Sequence, residues 1–92
     1  MTRFAAKIDK NQPEIVAALR SAGISVQSTA GMGKGFPDLV AANSDGKVWL
    51  IEVKGPKGKL TDDQILWIES WRGVVHIVRS ADEALKLVGV IE

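Results

Sequence analysis

The chain has no cysteine and only one histidine. Disulfides and thiolate clusters are therefore excluded, and any metal it binds must be held by oxygen. Nor is there a surplus of one charge: twelve lysines and arginines stand against eleven aspartates and glutamates, a net of +1. So close a balance does not announce a nucleic-acid partner, and the basic residues have to be judged by position. No apolar run reaches membrane-spanning length, and Met1-Thr2-Arg3-Phe4-Ala5-Ala6-Lys7 lacks the apolar core of a secretory signal. No membrane partner is expected, and the expected location is the cytoplasm. A phosphate loop is missing as well. Neither Ala30-Gly31-Met32-Gly33-Lys34-Gly35 nor Gly55-Pro56-Lys57-Gly58-Lys59-Leu60 completes Gly-x-x-x-x-Gly-Lys-Ser/Thr, so a small-ligand α/β enzyme built on these loops has little support.

What remains is a chain of 92 residues, 46% hydrophobic, read as one compact domain over residues 1–92. That length is near the lower limit at which a core suffices alone, so pairing of two copies is expected. Residues 1–9 show no period and read as an arm anchored by Phe4 and Ile8. A helix follows, capped by Asp9 or Asn11, with Pro13 in its first turn and a stripe of Ile15, Val16, Leu19 and Ala22 ending at Gly23. Glu14 near its start either favours the helix dipole or serves a metal site. Ile24-Ser25-Val26-Gln27-Ser28 alternates as a strand with one covered face.

Two further strands flank the turn Asn43-Ser44-Asp45-Gly46. They are expected to pair antiparallel with residue numbers summing to about 90, which sets Asp38 opposite Glu52. Along Lys47-Val48-Trp49-Leu50-Ile51-Glu52-Val53-Lys54, alternation puts Val48, Leu50, Glu52 and Lys54 on one side and Trp49, Ile51 and Val53 on the other. Such a strand, apolar on both faces, is expected to be covered on both. Charges at its end are costly unless paired or bound to metal. Glu52 and Lys54 stand roughly 6.6 to 6.8 Å apart along the strand, room for a water between carboxylate and ammonium, and Asp38 closes the same site. A structural Asp cap with a Glu-Lys ion pair is the other reading of these residues.

Thr61-Asp62-Asp63-Gln64 is a capping box opening a helix expected to run to Arg72, stopped by Gly73, with Gln64, Trp67, Ile68 and Trp71 as its packing stripe. Gln64 is accounted for by the cap and also falls beside the site. Val74-Val75-His76-Ile77-Val78 reads as a buried strand, with His76 a packed side chain. Ser80-Ala81-Asp82-Glu83 opens a last helix with Ala84, Leu85 and Val88 inward. The order α-β-β-β-α-β-α describes an α/β domain with a small mixed sheet flanked by helices.

Five stretches in this order resemble the VRR-NUC family of the PD-(D/E)xK nuclease superfamily, in its small stand-alone phage and bacterial form. They are Glu14 in the first helix, Gly35-Phe36-Pro37-Asp38 opening a strand, Glu52-Val53-Lys54 ending the next, Gly58-Lys59-Leu60-Thr61 with Gln64 at the second helix, and Ser80-Ala81-Asp82-Glu83-Ala84 at the last. The resemblance implies a restriction-endonuclease-like fold and a Mg²⁺- or Mn²⁺-dependent endonuclease. It further implies a homodimer acting on branched DNA such as Holliday junctions, in a bacterial or phage-infected cell. Asp38, Glu52, Lys54 and Gln64 are then the catalytic residues. The metal falls to Asp38, Glu52, the Val53 carbonyl and Glu14, and the DNA phosphates to Lys34, Lys57 and Lys59. The loop from Lys54 to Lys59 is short for the family, so DNA contacts made there by longer loops are expected to differ. The alternative is a non-catalytic nucleic-acid-binding or assembly module with a structural Asp/Glu/Lys cluster.

Overall fold

The computed structural model describes residues 9–92; the expected arm, with Phe4 and Ile8, lies outside them apart from Asp9. The elements are α1 (Gln12–Ser21), β1 (Ser25–Ser28), a 3₁₀ turn (Ala30–Met32), β2 (Leu39–Ala42), β3 (Val48–Val53), α2 (Asp62–Ser70), β4 (Val75–Val78) and α3 (Ala81–Leu87). This is the α/β order the periodicities call for.

The four strands form one sheet in the order β1-β2-β3-β4, antiparallel except for the parallel pair β3-β4. The hairpin register is Leu39 with Ile51, Val40 with Leu50, Ala41 with Trp49 and Ala42 with Val48. These pairs sum to 90, so the strand ends bring Asp38 and Glu52 to the same level. At the turn, the Asn43 side-chain oxygen accepts from the backbone N–H groups of Asp45 and Lys47 at 3.0 and 2.9 Å, an Asx turn that fixes the register. The parallel β4 requires a crossover, and the segment carrying α2 supplies it.

One face of the sheet is the core. Ile15 and Leu19 of α1 and Ala84 and Val88 of the α3 end are buried together with Leu39, Ala41, Trp49, Ile51, Val53 and Val78. Those strand residues share a face because paired and alternate residues point the same way. Burial of each large aliphatic side chain contributes about 1.5–3 kcal/mol.

The opposite face departs from expectation. Val48 is 58% exposed and Ile77 41% exposed, while Val74 stands outside the strand, 67% exposed. The reason lies in α2, which buries no residue completely, so the stripe read as packing is only half covered. That helix also stops two residues short of Arg72. Ser70 Oγ donates to the Trp67 carbonyl at 2.8 Å, the Trp71 N–H donates to the Ile68 carbonyl at 3.2 Å, and Trp71 turns extended. The local bonds close the last turn before Gly73 is reached.

Candidate active site

The capping box expected at α2 forms in full, while at α3 only its serine half does. At α2 the Thr61 hydroxyl accepts from the Gln64 N–H, and the Gln64 side-chain oxygen accepts from the Thr61 N–H. This leaves the Gln64 amide nitrogen pointing away from the cap, where it donates to Glu52 Oε2 at 2.7 Å. Cap and site contact are therefore made by one side chain. At α3 the Ser80 hydroxyl accepts from the Glu83 N–H, but Glu83 reaches back to the Arg79 N–H, one residue before the cap.

Glu52 is 2% exposed, and Lys54 Nζ stands 3.8 Å from its Oε2. Asp38 accepts from the Val53 N–H at 2.8 Å. The two carboxyl groups are near enough that each bears on the ionisation of the other. Burial, followed by the neighbouring Asp38 charge, pushes the Glu52 carboxyl up to about 8. Asp38 is also raised by burial, with its Val53 hydrogen bond working against the shift. Two carboxylates so placed hold more negative charge than the protein alone compensates.

These groups open onto a cleft of about 300 Å³ lined also by Asp9, Lys34, Phe36 and Asp63. Of the expected site residues, Asp38, Glu52, Lys54, Gln64 and Lys34 meet there. Lys57 and Lys59 are exposed on the loop after β3 and do not line the cleft. Arg79 fixes that loop, one of its Nη atoms donating to the Gly55 and Gly58 carbonyls at 2.6 and 2.9 Å.

Glu14 is exposed on α1 and does not line the cleft, whereas Asp9 does. The cause is the way the chain enters α1. Asn11 holds the N-cap position without a side-chain cap bond; its amide nitrogen instead donates to the carbonyls of Lys54 at 3.1 Å and Arg79 at 2.9 Å. The start of the helix is thereby tied to the ends of β3 and β4, which swings Asp9 to the cleft and turns Glu14 outward. The Asn11 cap expected from propensity is thus replaced by a longer-range use of the same side chain. The sequence signal for Asp9 was its place just before the helix, which a capping role explained equally well.

The loop carrying Lys34 and Phe36 packs on the start of α2. Gly35 has φ +84, and a Cβ added there would overlap the Asp63 carbonyl. Gly35→Ala is expected to cost about 2 kcal/mol or more, from backbone strain plus collision with main chain that cannot swing aside. A urea titration shifted by less than a quarter of that would contradict this packing.

A hard divalent cation suits the donor set. The buried Glu52 carboxyl and the half-buried Asp38 carboxyl beside it offer hard oxygen donors, and magnesium commonly takes only one or two protein carboxylates while retaining waters. Among the described residues no three acidic or imidazole side chains gather as a metal cluster, so a larger all-protein cage is not what this cleft resembles.

The family model described as the VRR-NUC domain matches residues 4–80. A solved structure titled VRR_NUC domain is similar with a TM-score of 0.69 and 26% identity, over 86% of this chain and 90% of that one. No curated protein matches the chain.

Proposed function

The chain belongs to the VRR-NUC domain family, whose domain is a nuclease of the PD-(D/E)xK type, and from that premise we propose that it is a divalent-metal-dependent DNA endonuclease selective for branched DNA. The observation that carries this reading is the pairing of a buried Glu52 with a half-buried Asp38 at the ends of adjacent strands, with Lys54 beside them in an open cleft. A structural ion pair would hold its carboxylate ionised; here burial and the second carboxyl raise Glu52 to about 8 despite the ammonium beside it.

Asp38 and Glu52 would hold Mg²⁺ or Mn²⁺, with the Val53 carbonyl completing the protein's share. Asp9 takes the outlying acidic position first assigned to Glu14. When bound, the cation supplies a more acidic water and neutralises charge gathering on the phosphate. Gln64 keeps Glu52 in orientation through its amide. Lys54 orients the attacking water and stabilises charge on the phosphoryl oxygens. Lys34 at the cleft, with Lys57 and Lys59 on the Arg79-braced loop, binds flanking phosphates, contacts that position the strand without reading its sequence.

Branched substrates suit a two-fold homodimer, which repeats the cleft and its lysines toward two strands. The half-open sheet face with Val48 and Ile77, and the exposed Leu66 of α2, is apolar surface that a second copy would cover. Val48→Glu is expected to shift a sedimenting dimer to monomer; wild-type protein sedimenting only as monomer at assay concentration would remove the dimer.

The test of function is cleavage of labelled linear duplex, flap, splayed-arm and four-way-junction DNA in Mg²⁺ or Mn²⁺ against EDTA. Divalent-dependent cutting that favours the branched forms is expected. Binding without any cutting would assign the chain to the non-catalytic class.

A further inference from the structure

Three aromatic side chains lead outward from the cleft. Phe36, which lines it, meets Trp67 edge to face with ring centroids 5.1 Å apart and planes at 73°. Trp67 in turn lies under Trp71, nearly parallel at 23° and 4.8 Å. Trp71 is 46% exposed even so. Gly73 leaves space for its ring, since a Cβ at that position would come within 2.8 Å of the indole Nε1. The indole is thus held from two sides while much of its surface faces water. Arg72, the next residue, and Lys34, at the cleft, are exposed, and the ion pair found among the described residues involves neither.

We propose that Trp71, backed by Trp67 and Phe36, is a stacking platform for an unpaired nucleobase of the strand entering the cleft. The proposal rests on the nuclease reading for the strand's destination. Nearly parallel aromatic rings extend naturally by one more planar ring, and stacking on an aromatic platform is how single strands are bound without sequence readout. Arg72 and Lys34 supply the positive charge that a phosphate backbone running beside the bases requires. Phe36 lines the cleft together with Asp38 and Glu52, and two ring spacings of 5.1 and 4.8 Å lead from it to Trp71, a span that one strand entering the cleft can cover. A fully paired duplex keeps its bases stacked inside and offers the platform nothing. The site therefore favours ends, flaps and junctions where a base is already unstacked.

The experiment uses the full chain in EDTA, where binding is separated from cutting, and follows tryptophan fluorescence and anisotropy with oligo-dT, an equal-length oligomer carrying abasic sites, and blunt duplex. Expected are fluorescence quenching with oligo-dT, affinity for it at least about tenfold above the abasic oligomer, and a similar loss in Trp71→Ala, in the range for one aromatic-base stack. Trp71→Phe should recover most of the affinity, and duplex binding should stay within about twofold throughout. Equal affinity for oligo-dT and the abasic strand in wild-type protein would overturn the proposal, whether or not Trp71→Ala folds. So would a loss in Trp71→Ala that follows a change in sedimentation from dimer to monomer, which would make Trp71 a protein contact. Cleavage in Mn²⁺ is scored separately: cutting without base dependence ends the platform and keeps the nuclease, and base-dependent binding without cutting does the reverse.

Discussion

Glu52→Gln is expected to lower divalent-dependent DNA cleavage by about a thousandfold or more, while DNA affinity in EDTA stays within about threefold. Loss of several kcal/mol of transition-state charge stabilisation accounts for the first effect, each ~1.4 kcal/mol being tenfold in rate. The second follows because Glu52 lies buried beneath the cleft and phosphate contacts are made elsewhere. The same substitution should stabilise the metal-free protein at pH 8. Glutamine fills the same space, can accept the Gln64 amide hydrogen bond now made at 2.7 Å, and cannot ionise beside Asp38. Activity and melting temperature moving in opposite directions is the signature of a residue kept for chemistry at a cost in stability. A residue of a structural ion pair would lose both together. Cleavage rates and thermal melts on one preparation decide between them, and a fully active Glu52→Gln protein would end the assignment.

Much of this site was legible because β structure has a period of two and the hairpin turn is short. The Asn43 turn sets a register summing to 90, and alternation alone then separates Glu52 and Lys54 from the core-facing Trp49, Ile51 and Val53. The capping motif at Thr61 likewise placed α2 and Gln64, because cap bonds are local. What escaped depends on contacts distant in sequence. Asn11 reaches Lys54 and Arg79 across 43 and 68 positions, and no local propensity distinguishes that from a cap; yet it decides that Asp9, not Glu14, lines the cleft. Helical spacing identified Trp67 and Trp71 as one stripe but not how much of it would be covered. The stripe is half open because α2 flanks the cleft without being buried, and the ring stacking with Phe36 needs the Gly35 loop to pack on the Asp63 carbonyl.

The metal-free protein is expected to lose stability as pH rises from about 4.5 to about 8, a direction opposite to that of a protein held by salt-bridged carboxylates. Glu52 is raised from 4.5 in the unfolded chain to about 8 in the folded one, first by burial and then by the Asp38 charge, and Asp38 is raised too. Between those pH values the folded state binds more protons than the unfolded state, so unfolding releases protons and stability falls with rising pH. Above about 8 both states have lost the Glu52 proton and its contribution to the slope vanishes. A full proton difference corresponds to ~1.4 kcal/mol per pH unit. For a domain of this size the melting temperature in EDTA should drop on the order of 10 °C between pH 5 and pH 8. Glu52→Gln should flatten the profile, since the amide has no proton to lose. Mn²⁺ or Mg²⁺ should restore the melting temperature of wild-type protein at pH 8 and do little at pH 5, where protons occupy the carboxylates. Scanning calorimetry across this range, with and without cation, checks all three curves. A wild-type melting temperature that rises steadily to pH 8 in EDTA, matched by the glutamine variant, would mean that Asp38 and Glu52 do not carry the strained charge that gives a divalent ion its place.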